Sequence, residues 1–256
     1  MESTSFQKFR ARLQFLRQHL QASDAGLSLL SETAELAPDQ SILISSFVKP
    51  GKYSELNHPA SEADRIINHS RSLNAEFALI ALYRYFTEYL RNLLGELYAT
   101  RPLEVVNKAG QNLTLSYTEI VKLGDFKKIT DEMVDTVFRK LEDMRSTQKL
   151  LEKILSGAGV TVDQTRIDDA LCYLEMRHLL IHNNGEVDGD YEKRFGKKVG
   201  ASSGQKLPRR FDTVKDAIEA VNKLTGLIDH ELLAKKLIAS RIKHSHSIPQ
   251  KITASN

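Results

Sequence analysis

Arg177, His178 and His182 fall within six residues, at the end of a stretch, Asp169-Ala170-Leu171-Cys172-Tyr173-Leu174-Glu175-Met176, that otherwise reads as helix core. Arginine grips phosphate oxygens with a bidentate fork, and an imidazole moves protons near neutral pH, so the trio suits work on a phosphodiester. A position near a helix C-terminus also favours a cationic side chain. On an ideal helix His178 and His182 share one face, while Arg177 lies ~100° from His178 and ~140° from His182. One helix therefore focuses the groups poorly. Either His182 is re-aimed by unwinding at Asn183-Asn184-Gly185, or a second copy of the helix completes the set across a dimer interface.

Two other readings of the same residues stand beside this one. A histidine at a helix end can simply be a hydrogen-bonded cap, with the arginine paired to Glu175 or Asp169. Histidines four apart can also reach one zinc ion, but Leu179 follows the first where the metalloprotease pattern has glutamate, and no third ligand is evident. No metal or other cofactor is expected.

The elements around the trio read as helices. Phe6, Phe9, Leu13, Leu16 and Leu20 step by three and four, the spacing of an amphipathic helix, and Ser23-Asp24 and Pro38 punctuate a shorter stretch after it. Residues 47–59 read as a loop. Ser61, with Asp64 three residues on, offers a helix start. From there to Thr100 there is no proline, and apolar residues from Phe77 to Leu97 cover more than half the circumference, so this long helix is expected to be the buried spine, ended by Pro102. Residues 103–160 look less regular, an insertion with a loop or hairpin over 107–117 and helical spacing over 130–141 and 147–155. A helix from Asp163 or Thr165 should run to Asn183-Asn184-Gly185, where asparagine and glycine tolerate a left-handed stop. A punctuated segment over 196–208 then precedes a last helix striped by Val214, Ile218, Val221, Leu224, Ile228 and Leu232. After Ser240 the chain turns polar and is expected to be a disordered tail. The fold class is mainly α, with no strand alternation and no internal repeat. Residues 1–60 are expected to pack as N-terminal helices on a bundle spanning 61–240.

Between Tyr191 and Arg210 seven cations, Lys193, Arg194, Lys197, Lys198, Lys206, Arg209 and Arg210, stand against the single carboxylate of Glu192. With glycines at 196, 200 and 204 this reads as a flexible basic loop suited to sequence-independent phosphate contacts, with Tyr191 and Phe195 able to stack on bases, or else as a solvated loop. The whole chain of 256 residues carries a net charge of only +3, too little to imply a polyanionic partner by itself. The 41% hydrophobic content is that of a globular protein. The one cysteine, Cys172, points to a reducing compartment, and the lack of an apolar leader or membrane span makes the cytoplasm the expected location and a membrane partner unexpected.

Arg177-His178-Leu179-Leu180-Ile181-His182, followed by Asn183-Asn184-Gly185, resembles the Arg-x4-6-His signature of the HEPN superfamily, in which a polar residue such as His178 follows the arginine. The aromatic-rich Leu82-Tyr83-Arg84-Tyr85-Phe86-Thr87-Glu88 on the preceding long helix is similar to bacterial members, and the resemblance covers about Ser61 to Leu233. It implies a helical bundle that dimerises through the signature helices. It also implies a metal-independent endoribonuclease, often toxin-like or antiviral, with an antitoxin or sensor protein as a further candidate partner. On that resemblance Arg177 would hold the scissile phosphate, His182 would act as general acid or base, and His178 would support them, with Asn183 and Glu88 as weaker supporting residues. The other implied possibility is a non-catalytic HEPN module for dimerisation or for nucleotide or partner binding.

Overall fold

The spine expected over the middle of the chain is the 38-residue helix α2, Ala63–Thr100, and the rest of the fold is laid against it. A computed structural model describes residues 1–37, 39–48, 52–101, 116–142 and 146–240. Apolar side chains project from α2 on several sides, so Leu79, Leu82, Phe86, Leu90, Leu93, Leu94 and Leu97 are all buried. A helix greasy on more than one face needs partners on more than one side.

The first partner is α1, Thr4–Glu35, which packs along α2. Phe6, Phe9, Leu13, Leu16 and Leu20 form its buried stripe. The helix does not break at Ser23-Asp24. Both residues lie in helical backbone, because Asp24 pairs with Arg71 of α2 at 2.9 Å rather than capping a new helix. At the start of α1, Ser3 caps the helix by accepting from the Phe6 amide. Glu96 of α2 accepts from the Ser5 amide and hydroxyl, and Asp229 accepts from the Ser3 amide. Two carboxylates from two other helices thus hold the positive end of α1.

Between α1 and α2 the chain makes 3-10 turns at Ile44–Phe47 and Ala60–Glu62, tied by an isolated bridge between Leu43 and Pro59. Ser61 lies inside the second turn, and Glu62, not Ser61, precedes α2, without a side-chain cap. Ala34, Ile44, Ala60, Ala63 and Ile67 form a small second core at this end, separate from the main one.

The described part of the less regular region, 116–142 and 146–160, consists of three helices and short turns. Ser116 opens α3, Tyr117–Leu123, with a reciprocal capping box to Glu119. Then come α4, Phe126–Glu142, and α5, Thr147–Ala158, whose Val134, Val137, Phe138, Leu151 and Ile154 belong to the main core. The helical spacing read over 130–141 and 147–155 corresponds to these last two helices. Residues 107–115 of the expected loop and the tail after Ser240 lie outside the described residues.

Asp163 caps α6, Gln164–Leu174, and α7, Met176–His182, follows after a one-residue break at Glu175. A helical segment over 189–199, α8, contains a π-type stretch at Glu192–Gly196. The last helix, α9, Phe211–Ala234, packs against α1, α2 and α6. Among the described residues there is no strand, and no helix is long and apolar enough to cross a membrane. The protein is an all-α fold.

Candidate functional site

Helix α7 is short because its start and its stop are both local. The His178 amide reaches back only three residues, to the Glu175 carbonyl at 3.0 Å, so the turn at the α6–α7 junction is tight. At the other end Asn184 and Gly185 adopt left-handed φ values of 51° and 71°. The Asn183 and Gly185 amides both bond the Leu179 carbonyl, at 2.9 and 2.8 Å, so the helix ends as a closed C-cap. Met176, Leu179 and Leu180 are buried and seat α7 against the rest of the fold, including α2.

The outward side of α7 carries the candidate residues. At ~100° per residue Arg177, Ile181, His178 and His182 follow one another around a ~140° arc. Ile181, His178 and His182 are exposed, and Arg177 is partly so. The Arg177 guanidinium lies over the Tyr83 ring of α2, 5.2 Å from its centroid. The two imidazoles lie against each other, with centroids 4.8 Å apart and planes tilted by 47°.

His182 is the last residue of α7, and the unwinding starts only after it, at Asn183. The local re-aiming that sequence spacing allowed is therefore not what the chain does. Arg177 and His182 stay at opposite edges of the arc, with Ile181 between them in projection. The carboxylate pairings weighed for Arg177 are not made either. Asp169 instead pairs with Lys198 and, at 3.8 Å, with Arg166. Among the described residues Arg177 has no carboxylate partner, and neither imidazole makes a hydrogen bond, so no capping role accounts for them. The exposed Asn183 contributes its backbone to the C-cap. No group of three His, Cys, Asp or Glu residues capable of holding a metal ion occurs among the described residues.

Glu88 is not brought to this site. It pairs with Arg12 of α1, whose guanidinium also lies 5.4 Å from the Tyr85 ring. Five residues beyond Tyr83, Glu88 leaves α2 about 140° further round. The residue of α2 that does meet the trio is Tyr83. Spacing on α2 gave no signal for it, because it falls within a continuous run of apolar and aromatic positions.

The first half of the basic segment is helical, and its two aromatic rings face the core. Tyr191 and Phe195 are buried edge to face, 5.3 Å apart, and the Tyr191 hydroxyl donates to the Cys172 carbonyl at 2.6 Å. They are floor, not stacking platforms for bases. The isolated bridge between Glu186 and Lys206 ties the returning chain to the end of α7. Lys198 pairs with Asp169, and Lys206 bonds the Asn184 carbonyl at 2.9 Å and lies 3.8 Å from Glu186. Arg209 pairs with Glu76 at 3.0 Å. Arg194 stacks on Phe195 and bonds Gln148. Lys193, Lys197 and Arg210 remain exposed, without a carboxylate partner among the described residues.

Under the site, burial pushes the Cys172 thiol up to about 12 and the Tyr191 phenol well above its usual range. Both stay protonated at neutral pH, so neither is a nucleophile. No family model, curated protein or solved structure matches this chain, and the class that can be stated is an all-α protein with an exposed arginine–histidine helix end.

Proposed function

We propose that the protein is a metal-independent endoribonuclease of the HEPN type, toxin-like or defensive in role, acting as a homodimer whose two α7 helices face each other. The observation that carries this reading is the outward arc of Arg177, His178 and His182, in which neither a carboxylate nor a hydrogen-bonded cap accounts for the polar groups. Arg177 and His182 sit at opposite edges of one α7, so a two-fold partner supplies the missing proximity. Ile181, exposed on the same arc, adds apolar surface for such a contact.

In this mechanism the ribose 2′-oxygen attacks phosphorus and the bond from phosphorus to the 5′-oxygen breaks. The 2′-hydroxyl proton passes to a base, and the departing 5′-oxygen takes a proton from an acid. The products are a 2′,3′-cyclic phosphate and a 5′-hydroxyl. His182 serves in proton transfer, Arg177 holds the non-bridging oxygens and the charge that develops on them, and His178 supports His182 through their ring contact. Lys193, Lys197 and Arg194, close in sequence after α7, give the RNA backbone cationic contacts.

End-labelled RNA incubated with the protein in EDTA tests the reading. Cleavage to a cyclic phosphate is expected, with Arg177→Ala and His182→Ala each lowering the rate by ~10²-fold or more. The melting temperatures of both variants should stay within a degree or two of wild type. The exposed apolar surface also suits the second reading, a non-catalytic module of the same type. In that case the dimer forms while wild type and His182→Ala are equally inert. A monomer that leaves RNA intact overturns both.

A further inference from the structure

The seam between α1 and α2 is interrupted. The main core stops near Leu20 and Ala75, and the second core begins with Leu27, Ile66 and Ile67. Between them lies a cavity of about 370 Å³. Two long helices packed side by side would ordinarily fill such a gap with leucines. Here they supply Asp24, Asn68, Arg71 and Asn74, and the approach to α9 closes the cavity with Arg210 and Phe211. The Arg71–Asp24 pair, with Ser28 as a second acceptor for the guanidinium, is neutral within itself. Arg209 on the same wall is likewise matched by Glu76. Arg210 is the uncompensated charge, since no ion-pair partner for it occurs among the described residues, and Asp212 in the first turn of α9 is exposed.

The cavity therefore has two kinds of wall. Leu20, Leu27 and the Phe211 ring offer an apolar surface. Arg210, with the amides of Asn68 and Asn74, offers one excess positive charge and neutral donors. We infer that this cavity is a binding site for a small organic anion, a flat apolar body carrying one phosphate or carboxylate group that meets Arg210. Its size is that of a small-molecule pocket. A seated ligand body would join the two cores across the gap, so binding should also raise thermal stability by mass action. Arg210 is among the cations first read as phosphate contacts, but the inference uses neither Arg177 nor His182 and does not rest on the RNA-cleavage reading.

Titration calorimetry with the intact chain at low ionic strength tests it, using phenyl phosphate and phenylacetate as probes. Inorganic phosphate serves as a head without a body, and benzyl alcohol as a body without a charge. At least one aryl anion is expected to bind with a Kd below about 1 mM, at least tenfold tighter than either control. The tighter of the two anions identifies the head group. Arg210→Ala should lose binding tenfold or more with an unchanged melting temperature, Arg210→Lys should lose less, and Phe211→Ala should weaken both anions together. Failure of both aryl anions to bind with a Kd below about 1 mM overturns the inference. So does an Arg210→Ala protein that binds as wild type, or controls that bind as tightly as the aryl anions.

Discussion

The guanidinium of Arg177 rests over the ring of Tyr83, which ties the first turn of α7 to the middle of the buried spine α2. An arginine held flat on an aromatic face loses rotational freedom, keeps its charge and leaves its outer edge free for an anion. Replacing Tyr83 by leucine should therefore leave the fold intact and weaken RNA cleavage by roughly 3- to 30-fold, the range of a cation–π contact, without the complete loss expected for Arg177→Ala. Single-turnover rates of the two variants make the comparison.

Gly185 is the second of two left-handed residues that end α7, at φ 71°, and a Cβ built there would lie 3.4 Å from Leu180 Cδ2. Gly185→Ala should cost about 1–2 kcal/mol and lower the melting temperature by roughly 2–6 °C, because alanine pays for that backbone where glycine does not. Scanning calorimetry reads the shift, and an unchanged melting temperature would show that the cap relaxes into another geometry.

Cys172 is buried and its thiol is pushed up to about 12 from 9.0, so its thiolate population at a given pH is smaller by about a thousandfold. Iodoacetamide at pH 8 should leave the native protein unlabelled over hours and modify it within minutes in guanidinium, as read by intact mass.

Much of this architecture was legible in the chain. The stripe from Phe6 to Leu20, the proline-free run of α2, a helix start narrowed to Asp163 or Thr165 and the stop at Asn183-Asn184-Gly185 all follow from spacing and turn chemistry. Three features were not. Helix α1 runs through Ser23-Asp24 because Arg71, far away in sequence, takes up the Asp24 charge. The basic segment looks flexible from its glycines, yet Tyr191 and Phe195 anchor it in the core. Glu88 shares a motif with Tyr83 but leaves α2 in another direction, toward Arg12. The first two depend on contacts between separate segments, which local pattern does not encode, while the third follows from helix geometry once the register of α2 is known.

Only some of the cations between Lys193 and Arg210 are free to meet a polyanion. Lys193→Ala and Lys197→Ala should each reduce the salt dependence of RNA binding by a slope of about 0.7, the value for one single-stranded phosphate contact. Arg209→Ala breaks the pair with Glu76 and should alter stability rather than that slope. Binding isotherms at several salt concentrations separate the two kinds of residue.

Asp229 is buried with one carboxylate oxygen that has no partner among the described residues, and burial raises its pKa above 3.8. The native state then holds a proton that the unfolded chain has released, so the group's contribution to stability falls as pH rises from 3.8 through the native value. An Asp229→Asn protein lacks this dependence while keeping an acceptor for the Ser3 amide. Its melting temperature relative to wild type should therefore be more favourable at pH 7 than at pH 3.5, whatever its sign at the lower pH.

The small second cluster of Ala34, Ile44, Ala60, Ala63 and Ile67 gives the far ends of α1 and α2 a hold of their own. Only two of its buried members are larger than alanine, and the larger side chains around them, Leu27, Leu30, Phe47, Leu56 and Ile66, are only partly buried, so the clasp is weaker than the continuous core below it. That tip is where backbone amides should first exchange with solvent, opening and closing like the jaws of a clothes peg while the hinge end, gripped by Glu96 and Asp229, stays shut.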